Sequence, residues 1–230
     1  MRKRSIEKKC AAILFAASLS LGVAACGTTD GGYDSSEGGA KTASGSEWDM
    51  TNTIVYGSND YTRINPAMDE HGEINALLFD GLTDHDGDNQ VVPRLAKSWD
   101  YDESTYTYTF HLEEGVKWHD GQPFTADDVK FTIEAIMNPD NGSENAPNYE
   151  DVEEINVIDD YTVSFKLKAP NVAFLDYMTM AILPKHLLEG EDMQESDFFR
   201  NPVGTGPYKL ERWDDGQAII LKKNEDYFAG

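Results

Sequence analysis

Residues Thr105-Tyr106-Thr107-Tyr108-Thr109-Phe110-His111-Leu112 alternate strictly. Tyr106, Tyr108, Phe110 and Leu112 fall on one face, and the threonines fall on the other. A period of two fits a strand with one buried face, and aromatic and β-branched residues suit a pleated surface. Glu113-Glu114-Gly115 then turns the chain back. Residues 115–137, GVKWHDGQPFTADDVKFTIEAIM, read as a strand end at Val116–Trp118, a tight turn and a capped helix. Asp120-Gly121 gives the turn a side-chain acceptor and a residue able to take positive φ. Thr125 stands at the helix N-cap. Asp128 follows three residues later as an acidic capping box, and Asp127 favours the positive end of the helix dipole. Val129, Ile133 and Ile136 share helical spacing, with Phe131 beside them, and Asn138-Pro139 stops the helix.

The remaining pattern mixes short strands and helices, an α/β class. Thr53–Gly57 is an expected first strand, followed by an irregular polar stretch, Asn59–His71. Glu73–Asp80 reads as a helix with Gly81 as its C-cap. Leu82–Val92 is a hairpin. An EF-hand reading of its acidic cluster fails, because Gly87 comes too early in the spacing. Pro93–Trp99 is a short connection. Val152–Ile158 and Tyr161–Leu167 are strands joined at Asp159-Asp160, Val172–Met180 is a helix, and Pro184 sits near the start of another. Tyr208–Trp213 and Ala218–Lys222 form a hairpin over Asp214-Asp215-Gly216. Before it lies Asn201–Tyr208, with Gly204 and Gly206 flanking Thr205. This is not a dinucleotide fingerprint, since the spacing differs and a strand follows rather than a helix.

The start of the chain is not part of this fold. Arg2, Lys3, Arg4, Lys8 and Lys9 precede an apolar run, Ala11–Val23, which is short for a membrane span. Val23-Ala24-Ala25-Cys26 resembles a lipobox, so cleavage before Cys26 and acylation of its thiol are expected. Residues 26–47 are rich in Gly, Ser and Thr and are expected to form a flexible tether. Cys10 leaves with the signal. With Cys26 acylated, no thiol remains for a disulfide, a thiolate metal site or a nucleophile. The chain has 19 basic and 42 acidic residues. Losing five basic residues and one acidic residue with 1–25 leaves 14 against 41, a net −27. Such a surface repels phosphate backbones and excludes nucleic acid as a partner. It tolerates cationic or zwitterionic solutes.

Four segments, in order, resemble the family 5 bacterial extracellular solute-binding proteins, the peptide and nickel receptors of ABC importers. They are the lipoprotein start through Asn65-Pro66 and Leu77–Leu82; Val92–Trp99; Val116–Phe131; and Pro202–Tyr208. The resemblance implies a two-lobed α/β periplasmic-binding-protein-like (type II) fold, here only the first lobe with its inserted β-rich subdomain. The expected division is a signal peptide at 1–25, a tether at 26–47, first-lobe core at 48–70 and 191–230, and the insert at 71–190. Family members run to more than twice this length, so the second lobe is expected to be absent and the chain to be a fragment or a truncated product.

The resemblance implies capture of oligopeptides or dipeptides outside the membrane. Delivery is to ABC permease subunits and, through them, an ATPase; the protein is expected to be a monomer held by its lipid anchor, with no cofactor. Candidate solute contacts are Asp69, Glu70 and His71, before the first helix, and Tyr149. The acidic pair suits an ammonium group. Trp118, Asp120, Gly121, Thr125, Gly204, Thr205, Gly206, Pro207 and Tyr208 are assigned to structure, as are His111 and His119. A nickel chelate is the alternative ligand, although His71, His85, His111, His119 and His186 form no cluster in the sequence. An extracellular hydrolase lacks a G-x-S-x-G, S-x-x-K or H-E-x-x-H motif. An adhesin or signalling receptor built from the same module remains open.

Overall fold

The alternating strand lies inside a four-stranded antiparallel sheet. A computed structural model describes residues 54–58, 61–68 and 72–230. The signal, Cys26 and the tether fall outside these residues. Chain contacts divide the molecule after Gly57. Only 54–57 of the first unit are described, and they carry no strand. The strand expected at Thr53–Gly57 therefore does not form at 54–57. A strand exists where a neighbour supplies ladder bonds, and none of the described pairings includes these residues.

Within Ser58–Gly230, helix α1 is Ile74–Leu78, and β1 (Thr83–His85) pairs antiparallel with β2 (Val91–Pro93). Then come β3 (Ala96–Asp102), β4 (Thr107–Leu112) and helix α2 (Ala126–Met137). Next are β5 (Val152–Asp159) and β6 (Thr162–Leu167), followed by the short helices α3 (Phe174–Tyr177) and α4 (Lys185–Leu188). The hairpin of β7 (Tyr208–Asp214) and β8 (Ala218–Lys223) comes last. The larger sheet runs β3-β4-β6-β5.

Along β4, burial follows the sequence period: Tyr108, Phe110 and Leu112 are inside and Thr107, Thr109 and His111 are half-exposed. Register sets Trp99 opposite Phe110 on one side and Phe110 opposite Val163 on the other. Phe110 meets Phe165 edge-on at 5.8 Å, and Phe174 closes over Tyr108 at 5.1 Å between ring centroids. A fully buried phenyl of this kind contributes about 1.5–3 kcal/mol. Helix α2 lays Val129, Ile133 and Ile136 into the same core and packs on β5 and β6.

Several expected boundaries move. The strand expected from Thr105 begins at Thr107, because Tyr106 has φ 57° and belongs to the preceding turn. The expected connection Pro93–Trp99 shrinks to Arg94 and Leu95, since β3 already starts at Ala96. The expected strand end Val116–Trp118 is a single bridge between Lys117 and Pro123. The helix expected at Val172–Met180 is only the four residues of α3. The helix expected at Glu73–Asp80 ends at Leu78, and Phe79 is extended rather than Gly81 acting as a left-handed cap. Gly81 is needed for another reason: a Cβ there would lie 2.6 Å from the Thr179 carbonyl.

Candidate functional site

Segments distant in sequence meet at one buried carboxylate. Asp80, just past α1, is 5% exposed. Its Oδ1 accepts from Arg94 Nε at 3.0 Å and from the Tyr227 hydroxyl at 2.9 Å. Its Oδ2 accepts from Thr205 Oγ1 at 3.1 Å. Burial pushes the Asp80 pKa up, and these three donors pull against that shift. The loop carrying Thr205 is pressed onto α1. Gly206 N–H donates to Leu78 O at 3.0 Å, and a Cβ on Gly204 would lie 1.7 Å from that same oxygen. Gly204 and Gly206 are thus glycine because backbone meets backbone there. Asn224 clamps the far side, its Nδ2 donating to Gly206 O and its N–H to Pro207 O.

A second polar node holds the turn at Trp118. Gly121 takes φ 92°, and Gln122 N–H donates to Asp120 Oδ1 at 3.0 Å, as the Asp-Gly pair implies. Asp128 accepts from Thr125 N–H and Lys185 N–H, both at 2.9 Å, and receives the indole N–H of the fully buried Trp118 at 3.4 Å. Burial raises the Asp128 pKa against these donors. Asp120 pairs with His186 of α4 at 2.8 Å. Between the two nodes stands His119. Its Nδ1 accepts from Gly204 N–H, and its Nε2 donates to Gly206 O, each at 3.0 Å. The residues assigned to shape at Trp118–Thr125 and Gly204–Tyr208 therefore adjoin one another through His119.

The residues expected to touch solute are placed differently. Asp69, Glu70 and His71 lie outside the described residues, but both flanks of that segment are held. Before it, Asn65 Nδ2 donates to Met193 O, Ser143 Oγ donates to Ala67 O, and Glu144 N–H donates to Met68 O. After it, Gly72 at φ 92° packs under the Tyr61 ring. Tyr149 is fully buried, with its hydroxyl donating to Tyr177 O at 2.6 Å, and burial pushes that hydroxyl's pKa well up. A side chain so enclosed packs into the core.

A hollow of about 560 Å³ near the start of β3 is lined by Lys97, His111, Glu114 and the β5–β6 turn. Tyr149 is not among the described residues that line it. Sequence reading gave Asp80 to a helix, Arg94 to a connection, and Asn224 and Tyr227 to an unassigned tail. The one signal for their meeting place was the density of glycine and proline around Thr205.

Among the described residues, no group of three or more His, Cys, Asp or Glu side chains is arranged to hold a metal ion. Each described histidine is engaged: His85 with Asp176, His111 with Asp100, His186 with Asp120, and His119 with the glycine loop.

Residues 90–230 match the family described as bacterial extracellular solute-binding proteins, family 5 Middle. The oligopeptide-binding protein AppA of Bacillus subtilis is 34% identical over 208 residues, 86% of this chain and 38% of its own length. Its structure in complex with a nonapeptide superposes with a TM-score of 0.70 over 74% of this chain and 36% of that one. NikZ from Campylobacter jejuni, solved in complex with Ni(L-His), is 43% identical with a TM-score of 0.72, over 75% of this chain and 35% of its own. The chain spans less than two fifths of the length of these relatives.

Proposed function

From the premise that this chain belongs to the family 5 bacterial extracellular solute-binding proteins, we propose that it supplies the first-lobe part of a receptor for oligopeptides or dipeptides. The receptor captures its solute outside the membrane and delivers it to the permease of an ABC importer, whose ATPase subunits supply the energy. The observation that carries this reading is the likeness to a peptide receptor over 86% of the chain. The described residues form a mixed α/β unit of the kind found in a single lobe of the type II periplasmic-binding-protein-like fold. The solute binds between this lobe and a second, and closure about a hinge presents the complex to the permease.

Lobe core is assigned to 48–70 and 191–230, and the insert to 71–190. The run Leu78–Leu82 is the joint between them, because it hydrogen-bonds to the Gly204–Gly206 loop on one side and to Met178 on the other. Asp69, Glu70 and His71 are the solute contacts in this half. Their flanks are pinned, which lowers the ordering cost of binding. The two carboxylates suit a peptide ammonium, and the acidic surface favours cationic peptides. Tyr149 supports from within. Acylated Cys26 and the tether hold the receptor at the extracytoplasmic face.

One observation favours a nickel chelate as the second reading, namely the 43% identity to the Ni(L-His) receptor. With the other four histidines engaged, His71 is the candidate histidine ligand from this half. Native mass spectrometry of the protein isolated without denaturation separates the two readings. A distribution of peptide-mass adducts is expected; a single nickel-bearing adduct overturns the peptide reading in favour of the chelate.

A further inference from the structure

We propose that His119 is an acid-releasable clasp between the Trp118–Pro123 turn and the Gly204–Gly206 loop: neutral, it closes the joint, and protonated, it loosens it. The inference rests on geometry within the described residues and is independent of which solute is bound.

The two ring nitrogens are used with opposite polarity. Nδ1 accepts from Gly204 N–H at 3.0 Å, and Nε2 faces the Gly206 carbonyl, which only accepts, also at 3.0 Å. One protonation state satisfies both contacts, the neutral imidazole with its proton on Nε2. A second proton, on Nδ1, would set a donor against the donor of Gly204. The loop cannot retreat to relieve that clash. Gly206 N–H is bonded to Leu78 O, Asn224 holds Gly206 O and Pro207 O, and Gly204 already lies against Leu78. The imidazole must therefore swing out, which leaves the turn on the loop by the His119 N–H bond to Gly204 O at 2.8 Å and loosens the joint.

The surroundings reinforce this asymmetry. Lys209 of β7 brings its ammonium to His119 O at 3.3 Å, on the same side of the joint. Asp120, in the turn itself, is taken by His186 of α4, and Asp128 of α2 lies behind Trp118 with its oxygens engaged. His85, His111 and His186 each face a carboxylate, whereas His119 faces an N–H donor and a carbonyl. Burial, with Lys209 beside it, holds the His119 pKa below the ordinary histidine value, against the opposing pull of the Gly206 carbonyl and of Asp120.

The sign follows from linkage. Above about pH 6.5, the unfolded-chain value, both states are neutral at His119 and its contribution is complete. As pH falls, the unfolded or opened state takes up the proton first, and the contribution is lost until the folded pKa is passed. Asp80 and Asp128, raised by burial, act with the opposite sign as they protonate and so cannot produce that loss.

Nitrogen-15 NMR of the full chain at pH 7.5 should show His119 as the Nε2–H tautomer. Hydrogen exchange, corrected for intrinsic rates, should show protection of the Gly204 amide falling between pH 6.5 and 5, approaching about tenfold per pH unit. His119→Gln keeps one donor and one acceptor without a titrating group and should flatten that profile. An Nδ1–H tautomer or an imidazolium at pH 7.5, pH-independent protection of Gly204, or an undiminished acid loss in H119Q would each overturn the clasp. If H119Q fails to fold, the tautomer and the Gly204 exchange of the unaltered protein decide the matter.

Discussion

The sheet with its covering helix and the knot around Asp80 are built by opposite means. In the sheet, each strand declares its inward face by period, and α2 does so by spacing and by its cap. Neighbours in sequence cooperate, and the contacts are apolar and redundant. In the knot, Asp80, Arg94, Thr205, Asn224 and Tyr227 come from four distant segments, each bringing one or two groups. No contact there repeats another. The sheet should therefore yield gradually to damage, and the knot should respond steeply at its glycines and weakly at its rim.

The steepest response is expected at Gly204. Alanine there places Cβ 1.7 Å from Leu78 O and 2.6 Å from Leu78 C, against backbone that no side-chain rotation can clear. Neither α1 nor the loop can shift without losing the Asp80 bonds. Gly204→Ala should leave no cooperative folded state, a loss beyond about 4 kcal/mol by urea denaturation. A stable, two-state G204A would show that the knot has slack and that the contrast between the regions is false.

In the sheet, Phe110→Ala removes a side chain with no exposed surface that touches Phe165 and Trp99. The expected cost is about 3–5 kcal/mol, with the transition still cooperative. At the knot's rim, Tyr227→Phe deletes one hydrogen bond to a buried carboxylate that keeps Arg94 and Thr205. The hydroxyl is only half-buried, so the loss should be about 1.5 kcal/mol, the low end for a bond to a charged group. A loss in Y227F as large as that in F110A would mean that the rim, too, is indispensable.

How much of this was legible in the sequence follows the same division. The β4 period, the Asp120-Gly121 turn, the Thr125–Asp128 cap and the β5–β6 and β7–β8 hairpins could be read because each is settled within a dozen residues. Boundaries failed where a distant partner decided them. Tyr106 was drawn out of its strand by a left-handed turn, and Gly81 was kept small by Thr179 rather than by its own helix. The knot could not be read, because an aspartate after a short helix and a tyrosine near position 230 carry no mark of each other. The burial of Tyr149 was illegible for a related reason: a tyrosine in a long loop looks the same whether its hydroxyl meets water or a carbonyl 28 residues away.

The smallest effect should also reverse sign. Gly87 sits in the β1–β2 turn, and an added Cβ there meets nothing within 4 Å. Its φ is not left-handed, a role taken in that turn by Asn89 at φ 59°. The turn is already fixed by Asp86, whose Oδ1 accepts from the Asp88 and Gln90 N–H groups, both at 2.9 Å. Gly87→Ala thus removes no contact and restricts only the unfolded chain. It should stabilise by about 0.4–1 kcal/mol, read as a higher urea midpoint at unchanged slope. The same substitution then destroys the fold at Gly204 and improves it at Gly87, so the residue type alone decides neither outcome. If G87A were as damaging as G204A, close backbone approach would not be what distinguishes the glycines of the knot, and the contrast with the local, self-sufficient turns would collapse.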